Sequence, residues 1–538
     1  MIGLKSILRT RRERRPIIGL MMFAAVLVFA VLPVTPREIP AAEPRRRTVS
    51  GRLALLQRQH QRLHERFVAD LEEIARYCDQ QTLSEEAAQI RRLAIPVSSQ
   101  LLTIQELPKT VQPAIPASLP EDEKKWRRRL RHVRQSYASD LYLLSRRVLH
   151  SGYSSYAYRL VREVARQDPN HKSARRLLGQ VRLGNEWVTP FAARMIRRNY
   201  VWHEKYGWLR KSDIPRYDNG ERYENGRWIS ADKAREIHRD FDNAWQIRTA
   251  HYLVKTNDSL EQGVTIAAAL ERYYNIFFQT FAGFFHTREQ LQRLFEGRKS
   301  QSRSREGVRP YVVNYFRQRE EYNRRLQKKI PQIAITNGLY YPRDRIAYFF
   351  HDPKGNNKAT LYHEATHQLF YESSGRNRPI AERRDFWIIE GIACYMESFQ
   401  VEQGKLSLGD PRYIRFRAAR YRYLVDHYYV PLARFSAMGL REFQTSAHIS
   451  KNYSQASGLA HFFMNYDGGR YRDALIAHLS GLYSTNPRER AAVRSLSSLT
   501  GVSNAELDRQ YGRYLADQQQ ALKRPSDKPT GTSRENTP

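Results

Sequence analysis

The sequence is poor in cysteine and in acidic residues, and each shortage excludes a class of protein. Cys78 and Cys394 are too few for a disulfide framework or a cysteine-based zinc cluster within one chain. Acidic residues number 55 against 90 lysines and arginines, which gives a formal net charge of +35. Such a chain is attracted to anionic lipid, cell-wall polymer or nucleic acid. Because no zinc-finger, basic-zipper or RNA-recognition signature accompanies the charge, we favour a solvated basic surface over nucleic-acid binding.

The N-terminus has the pattern of an export signal or a membrane anchor. Six basic residues within 5–15 precede an uncharged, mostly apolar run at 17–34. Val28 and Ala30 fit a signal-peptide cleavage pattern, whereas the 18 residues of the run are also just enough to span a bilayer. Both alternatives remain open, and under either the positive charge keeps the N-terminus in the cytoplasm. We therefore expect residues 1–44 to export or anchor a chain that lies in the periplasm, outside the cell or at the membrane surface.

The composition of the next 200 residues divides them into four segments. Residues 51–102 have helical spacing, and prolines interrupt the pattern over a predicted linker at 103–122. Helical spacing returns at 126–184, where the second half resembles a tetratricopeptide repeat. A helical hairpin packed on its neighbour fits this pattern as well as a peptide-binding solenoid does. Residues 186–240 are rich in Trp, Tyr and Gly with two Asn-Gly turns, which predicts a small β module whose aromatic rings form a core rather than a sugar or peptide site.

From residue 245 onward the pattern predicts an α+β domain. "IRTAHYLVKTN" and "VRPYVVNYF" are each typical of one strand, and residues 260–284 have helical spacing. "ITNGLYYPRDRIAYFF" predicts two more short strands. We expect helices and an antiparallel or mixed sheet to be segregated over 245–520, with a disordered tail at 521–538.

The sequence "HEATH" at residues 363–367 bears most directly on function. On a helix, His363 and His367 lie one turn apart on one face, where two imidazole nitrogens can hold one Zn²⁺. Glu364 follows the first histidine and can act as a base beside a metal-bound water. A chance match in a buried helix is the alternative, and the surrounding sequence decides between the two.

A third ligand is available further along the chain. A catalytic zinc site uses three protein ligands and leaves its fourth position to water. Glu390 lies in "DFWIIEGIACYMESF" on a predicted amphipathic helix, among apolar neighbours where an unpaired carboxylate would be costly. Cys394 and Glu397 lie on the same side of that helix as Glu390.

These motifs resemble the gluzincin metallopeptidases, the group that includes thermolysin and aminopeptidase N. The resemblance rests on His-Glu-x-x-His followed by a Trp-x-x-Glu-Gly-x-Ala helix, and it extends to exported bacterial proteins of uncharacterised function. It covers residues 245–520 and implies that His363, His367 and Glu390 bind zinc while Glu364 is the catalytic base.

The resemblance also assigns an oxyanion donor. Tyr453, in "NYSQASGLAHFFMNY", corresponds to the catalytic tyrosine of aminopeptidase N, and His448 and His461 are alternatives for this role. The chain departs from the family at Cys394, where thermolysin-like enzymes carry an acidic residue, and Glu397 can substitute for it. A second departure is the longer gap before the third ligand, because 22 residues lie between His367 and Glu390.

The sequence therefore predicts an exported zinc-dependent peptidase acting on a peptide or protein. The Gly-Ala-Met-Glu-Asn type motif that binds a free N-terminus in aminopeptidase N is absent, which favours an endopeptidase. The strand at 338–341 is expected to pair with extended substrate. The alternative is a catalytically inactive peptidase-like protein that binds an envelope or cell-wall partner.

The N-terminal pattern makes a testable prediction about location. A reporter enzyme fused after residue 60 should be active only outside the cytoplasm, because the apolar run at 17–34 carries the fusion into or across the membrane. The control is the same fusion with a chain that starts at residue 45 and so lacks the apolar run, and it should remain in the cytoplasm. Activity of the first fusion in the cytoplasm alone would contradict the prediction.

Overall fold

The computed structural model describes residues 51–94, 104–105, 107–298, 309–353, 357–374, 380–402 and 405–523. The predicted export segment at 1–44 and most of the predicted C-terminal tail lie outside these residues. Within the described ranges, no helix has both the length and the apolar character needed to cross a membrane.

A helical region comes first. Its elements are α1 (Arg52–Gln80), α2 (Ser84–Leu93), β1 (Ile104–Gln105), α3 (Glu121–His150), α4 (Ser154–Gln167) and α5 (Lys172–Leu177). α3 and α4 form a helical hairpin, and the apolar stripes of both helices pack with α1 in one core. β1 falls inside the predicted linker, and α3 begins at its end. The tetratricopeptide-like positions Leu141, Leu144, Ala157 and Val161 are all buried in this core.

The aromatic module that follows consists of three two-stranded antiparallel hairpins, each followed by a short helix. Its elements are β2 (Val181–Leu183), β3 (Glu186–Val188), α6 (Pro190–Arg197), β4 (Tyr200–His203), β5 (Gly207–Arg210), a 3₁₀ helix (Lys211–Asp213), α7 (Ile214–Asp218), β6 (Glu221–Glu224), β7 (Arg227–Ser230) and α8 (Ala231–Ile237). The second strand of each hairpin carries a tryptophan, at Trp187, Trp208 and Trp228. The module is thus a hairpin–helix unit in three copies, a repetition that the sequence analysis missed.

The main domain is built on a five-stranded mixed sheet with the order β11-β12-β10-β9-β8. The elements up to the last strand are a 3₁₀ helix (Phe241–Asn243), β8 (Trp245–Arg248), β9 (Tyr252–Thr256), α9 (Leu260–Thr280), α10 (Ala282–Phe285), α11 (Arg288–Phe295), β10 (Tyr311–Phe316), α12 (Arg319–Leu326), a 3₁₀ helix (Ile333–Ile335), β11 (Leu339–Tyr341) and β12 (Ile346–Phe350). β9, β10 and β12 are parallel, and the two edge strands are antiparallel to their neighbours.

One predicted strand is in fact two. The stretch expected to form a single strand at 247–257 bends between β8 and β9, because the Thr249 hydroxyl accepts a hydrogen bond from the Tyr252 backbone N–H at 3.1 Å and closes a tight turn. The mixed sheet with separate helices confirms the predicted α+β class.

The remainder is mostly helical. Its elements are α13 (Asn357–Ser374), α14 (Phe386–Met396), β13 (Gln400–Glu402), β14 (Lys405–Ser407), α15 (Ile414–Leu424), α16 (Leu432–Ala437), α17 (Leu440–Gln444), α18 (Ile449–Gly469), α19 (Arg472–Tyr483), α20 (Pro487–Ala491), α21 (Leu496–Thr500) and α22 (Asn504–Lys523). β13 and β14 form a three-stranded sheet with β1 from the helical region. A second link joins the same two parts of the chain, because Ser154 donates a hydrogen bond to Asp473 at 2.6 Å.

α14 lies at the centre of the main core. All its residues are buried, since α13 packs on one side and α18 on the other. The prediction of an amphipathic helix here was wrong, because the stripe that carries Glu390 faces other parts of the protein rather than solvent. Gly391 allows the close approach of α18, as a Cβ built at this position would lie 2.5 Å from the carbonyl oxygen of Ala456.

Gly391→Ala should therefore destabilise the protein. The added methyl group meets helix backbone that cannot rotate away, and overpacking of this kind costs about 1–3 kcal/mol in the free energy of unfolding. Gly512→Ala is the control, because its added methyl meets the partly buried Tyr423 side chain, nearest its hydroxyl, rather than helix backbone. Denaturant midpoints measure both effects, and an equal or smaller loss for Gly391→Ala would contradict this account of the packing.

Candidate metal centre

α13 positions the "HEATH" residues between the sheet and α14. The helix is fixed to the sheet by the Gln368 side chain, which donates a hydrogen bond to the Val312 carbonyl at 3.1 Å. On another side the Tyr273 hydroxyl is 2.5 Å from the Thr366 hydroxyl. His363 and His367 are buried and project toward α14.

The three predicted metal ligands converge on one point. The Nε2 atoms of His363 and His367 are 3.1 Å apart, and Glu390 Oε2 lies 3.4 Å from the first and 3.9 Å from the second. Metal–nitrogen bonds of 2.0–2.1 Å in a tetrahedral site separate neighbouring ligand atoms by about 3.3 Å. The described residues therefore include a His/His/Glu group with the dimensions to bind a metal ion.

The environment of Glu390 supports this assignment. The side chain is fully buried, and within the described part of the chain neither carboxylate oxygen has a hydrogen-bond partner. Burial by itself raises the pKa of Glu390, but the two histidines reverse the effect and hold it below its usual value. A buried carboxylate is costly unless positive charge or hydrogen-bond donors surround it, so Glu390 and the two histidines form a group that could bind a metal ion.

Glu397 orients the first histidine. Its Oε1 atom lies 2.7 Å from His363 Nδ1, so the ring donates this proton and keeps its Nε2 lone pair for a metal. Arg415 donates two hydrogen bonds to Glu397, at 2.8 and 3.0 Å, and Tyr413 donates a third at 3.2 Å. Burial raises the pKa of Glu397, but Arg415 and His363 lower it to about 2, and the carboxylate stays ionised. Cys394 lies beside His363 and Glu397, and the three form a second group that could hold a metal ion.

Glu364 is placed between the cluster and the edge strand β11. Its Oε2 atom accepts a hydrogen bond of 2.7 Å from the Tyr340 backbone N–H, whereas Oε1 is buried and has no partner among the described residues. Burial raises the pKa of Glu364 to about 7. A carboxyl group with such a pKa can take up and release a proton near neutral pH, as a general base requires.

Tyr453 of α18 is next to the cluster. Its side chain is buried, and burial together with the neighbouring Glu390 raises the pKa of the phenol well above its usual value. The phenol therefore stays protonated and able to donate. Gln444 donates a hydrogen bond of 3.2 Å to the phenol oxygen.

The two alternative donors lie elsewhere. Both ring nitrogens of His461 are engaged, one 3.0 Å from the Gly409 carbonyl and the other 2.9 Å from the Tyr514 hydroxyl. His448 is exposed at the start of α18. Arg415, Tyr413 and Gln444 were not foreseen from the sequence, because they come from separate elements and have no fixed spacing to the motif.

Comparison with known proteins gives one family. The family model described as "Protein of unknown function (DUF1570)" matches residues 357–488, which include α13, α14 and most of the helices packed on them. The match therefore contains every residue of the candidate metal centre. No curated protein matches the chain.

The geometry predicts metal binding in the purified protein. One metal ion per chain is expected, and His363→Ala or His367→Ala should reduce the content well below stoichiometry because two ligands are too few for tight binding. His448→Ala is the matched control and should retain the ion. Elemental analysis after dialysis measures the content, and full occupancy in both ligand variants would refute the site.

Proposed function

We propose that the chain is a zinc-dependent peptidase of the gluzincin type, exported from or anchored outside the cytoplasm. The observation that carries the proposal is the convergence of His363, His367 and Glu390 beside Glu364, a buried carboxyl group that lies between the cluster and a sheet edge. Peptides or proteins are the proposed substrates, and an endopeptidase is favoured. The formal charge of +35 supports contact with an anionic envelope surface.

The ligand set supports zinc and a catalytic rather than structural site. Two imidazoles and one carboxylate are a donor set that Zn²⁺ uses in hydrolases, where the fourth position is left to water. Structural zinc sites are closed by four protein ligands. Here the cluster has three, and the further carboxylate of Glu397 contacts Nδ1 of His363 rather than the Nε2 atom that faces Glu390.

A zinc ion held by His363, His367 and Glu390 would polarise the scissile carbonyl and make water acidic enough to be deprotonated near neutral pH. Glu364 would take that proton on its Oε1 atom, which has no partner among the described residues, because Oε2 is held by the Tyr340 backbone N–H. It then delivers the proton to the leaving amine, which needs a carboxyl group that exchanges protons at the working pH.

Tyr453 and β11 complete the proposed site. The Tyr453 phenol stays protonated and donates a hydrogen bond to the oxyanion that develops on the substrate carbonyl. β11 is the edge strand of the sheet and is therefore the strand with which an extended peptide would pair, although its Tyr340 N–H already donates to Glu364. Such pairing would align the scissile bond beside Glu364, which already contacts the middle residue of this strand.

The alternative, a catalytically inactive interaction protein, would use the same metal site as a scaffold. It gives no reason for a buried carboxyl oxygen at Glu364 that has no partner among the described residues. Such an atom costs about 1–3 kcal/mol of stability, and replacement by an apolar side chain would avoid that cost. The peptidase proposal explains why an acid is present there.

Glu364→Gln should leave a folded, zinc-loaded protein that is nearly inactive. The change keeps the size of the side chain and removes only the base, and loss of general-base catalysis lowers the rate by about 10²–10⁴-fold. Tyr453→Phe should also lose activity while keeping its zinc, because one oxyanion donor disappears. Cleavage of an unbiased peptide library, measured together with zinc content, tests both variants.

The matched control is Glu372→Gln, a partly buried glutamate on the same helix that pairs with Gln368 and Arg345 away from the cluster. It should cleave as wild type does. If zinc-loaded wild-type protein cleaves nothing, or if Glu364→Gln cleaves at the wild-type rate, the interaction-protein alternative replaces the peptidase.

A further inference from the structure

Gln444 contacts the Tyr453 phenol from a position that the protein core determines. It is the last residue of α17, and the preceding Phe443 is fully buried. The Phe443 ring packs edge-on against the Tyr453 ring, with centroids 5.3 Å apart, and tilted against Phe435 at 5.9 Å. The Gln444 amide is thus carried by a packed element beside Tyr453 and not by a mobile loop.

The direction of the hydrogen bond decides where the phenolic proton points. A phenol oxygen has one proton to donate and can accept other hydrogen bonds. Gln444 Nε2 donates to it at 3.2 Å, so the proton cannot be directed at Gln444. It is available for the other side of the oxygen, where Glu390 and the metal position lie. An accepted hydrogen bond also polarises the O–H group and strengthens its donation.

The other half of the Gln444 amide indicates that the residue does not serve the fold. Its Oε1 atom is buried and has no hydrogen-bond partner among the residues that the structure describes. Gln455 on α18 shows the contrasting arrangement, because its Oε1 accepts from the Val430 N–H at 2.8 Å and its Nε2 donates to the Val430 carbonyl at 2.6 Å. Gln455 closes a backbone contact with both halves of its amide, whereas Gln444 uses only the half that faces Tyr453.

We propose that Gln444 is a positioning residue that holds the Tyr453 hydroxyl with its proton directed at the oxyanion of the substrate. The inference rests on the proposed function, since it gives Tyr453 the role of oxyanion donor. It adds a residue that acts through Tyr453 and touches neither metal nor substrate. Removing Gln444 should leave the phenol in place but free to rotate its proton away from the site.

The test compares Gln444→Leu with Gln455→Leu. The second variant also removes a side-chain amide, but one that contacts the Val430 backbone. For Gln444→Leu we expect an unchanged or higher melting temperature, full zinc content, an unchanged KM and a kcat about tenfold lower, which is less than the 10²–10³-fold expected when an oxyanion donor itself is lost. For Gln455→Leu we expect a lower melting temperature. At temperatures below that melting transition, its kcat should equal that of the wild type. The substrate is a peptide that wild-type protein cleaves.

Two further measurements separate positioning from a general disturbance. In the Tyr453→Phe background, Gln444→Leu should cause no further loss of kcat, because there is no hydroxyl left to orient. A phosphinic analogue of the substrate, whose oxygen imitates the oxyanion, should bind Gln444→Leu about tenfold more weakly, and a mercaptoacyl analogue without that oxygen should bind as before.

Each outcome decides a distinct question. Wild-type kcat and phosphinic-analogue affinity in Gln444→Leu, or an equal loss of kcat with and without the Tyr453 hydroxyl, overturn the positioning role while the peptidase stands. A melting temperature lowered as far as in Gln455→Leu assigns Gln444 to the fold and also overturns it. Failure of zinc-loaded wild-type protein to cleave any peptide overturns the proposed function, and this inference with it.

Discussion

The removal of Glu390 from water is the constraint on which the main domain depends. A carboxylate in an apolar core is stable only if positive charge or hydrogen-bond donors surround it, and two histidines of α13 face it here. To bind a metal through Nε2, each histidine must carry its proton on Nδ1 instead. A hydrogen-bond acceptor at Nδ1 favours that arrangement. Glu397 supplies that partner for His363, and this second carboxylate needs Arg415 to remain ionised in the core. These contacts run from Glu390 to the guanidinium of Arg415, and they fix the relative positions of α13, α14 and α15.

The same requirements explain why α14 is buried on all sides. A helix that presented only one face to the core would expose Glu390 or Glu397 to solvent, where water would weaken their interactions with the histidines. α18 covers the far side closely because Gly391 has no side chain. In return, α18 brings Tyr453 to the cluster, so one glycine serves both the packing of the helices and the placement of the phenol.

The candidate ligands could be predicted from the sequence because local geometry determines them. His363 and His367 are four residues apart on one helix, and Glu390 is conspicuous as an acid among apolar residues. The surrounding residues could not be predicted in this way. Arg415 and Gln444 reach the site through tertiary packing of α15 and α17, and the chain contains many other arginines and glutamines with equal local patterns. The turn at Thr249 was missed for a related reason, because hydrogen bonds between Thr249 and Tyr252, one of them to the Thr249 hydroxyl, divide what alternation alone presents as one strand.

The pairing of β1 with β14 makes two distant parts of the chain depend on each other during folding. Ile104 is opposite Leu406 in this ladder, so its partner lies about 300 residues further along the chain. At ribosomal rates of about 5–20 residues per second, β1 waits at least 15 seconds or so after its own synthesis before β14 exists. The helical region can form most of its core in that interval, because α3 packs against both α1 and α4. The edge of β1, by contrast, stays open to other strands until the metal-site helices have been made, which places the moment of greatest risk of mispairing before the candidate site is complete.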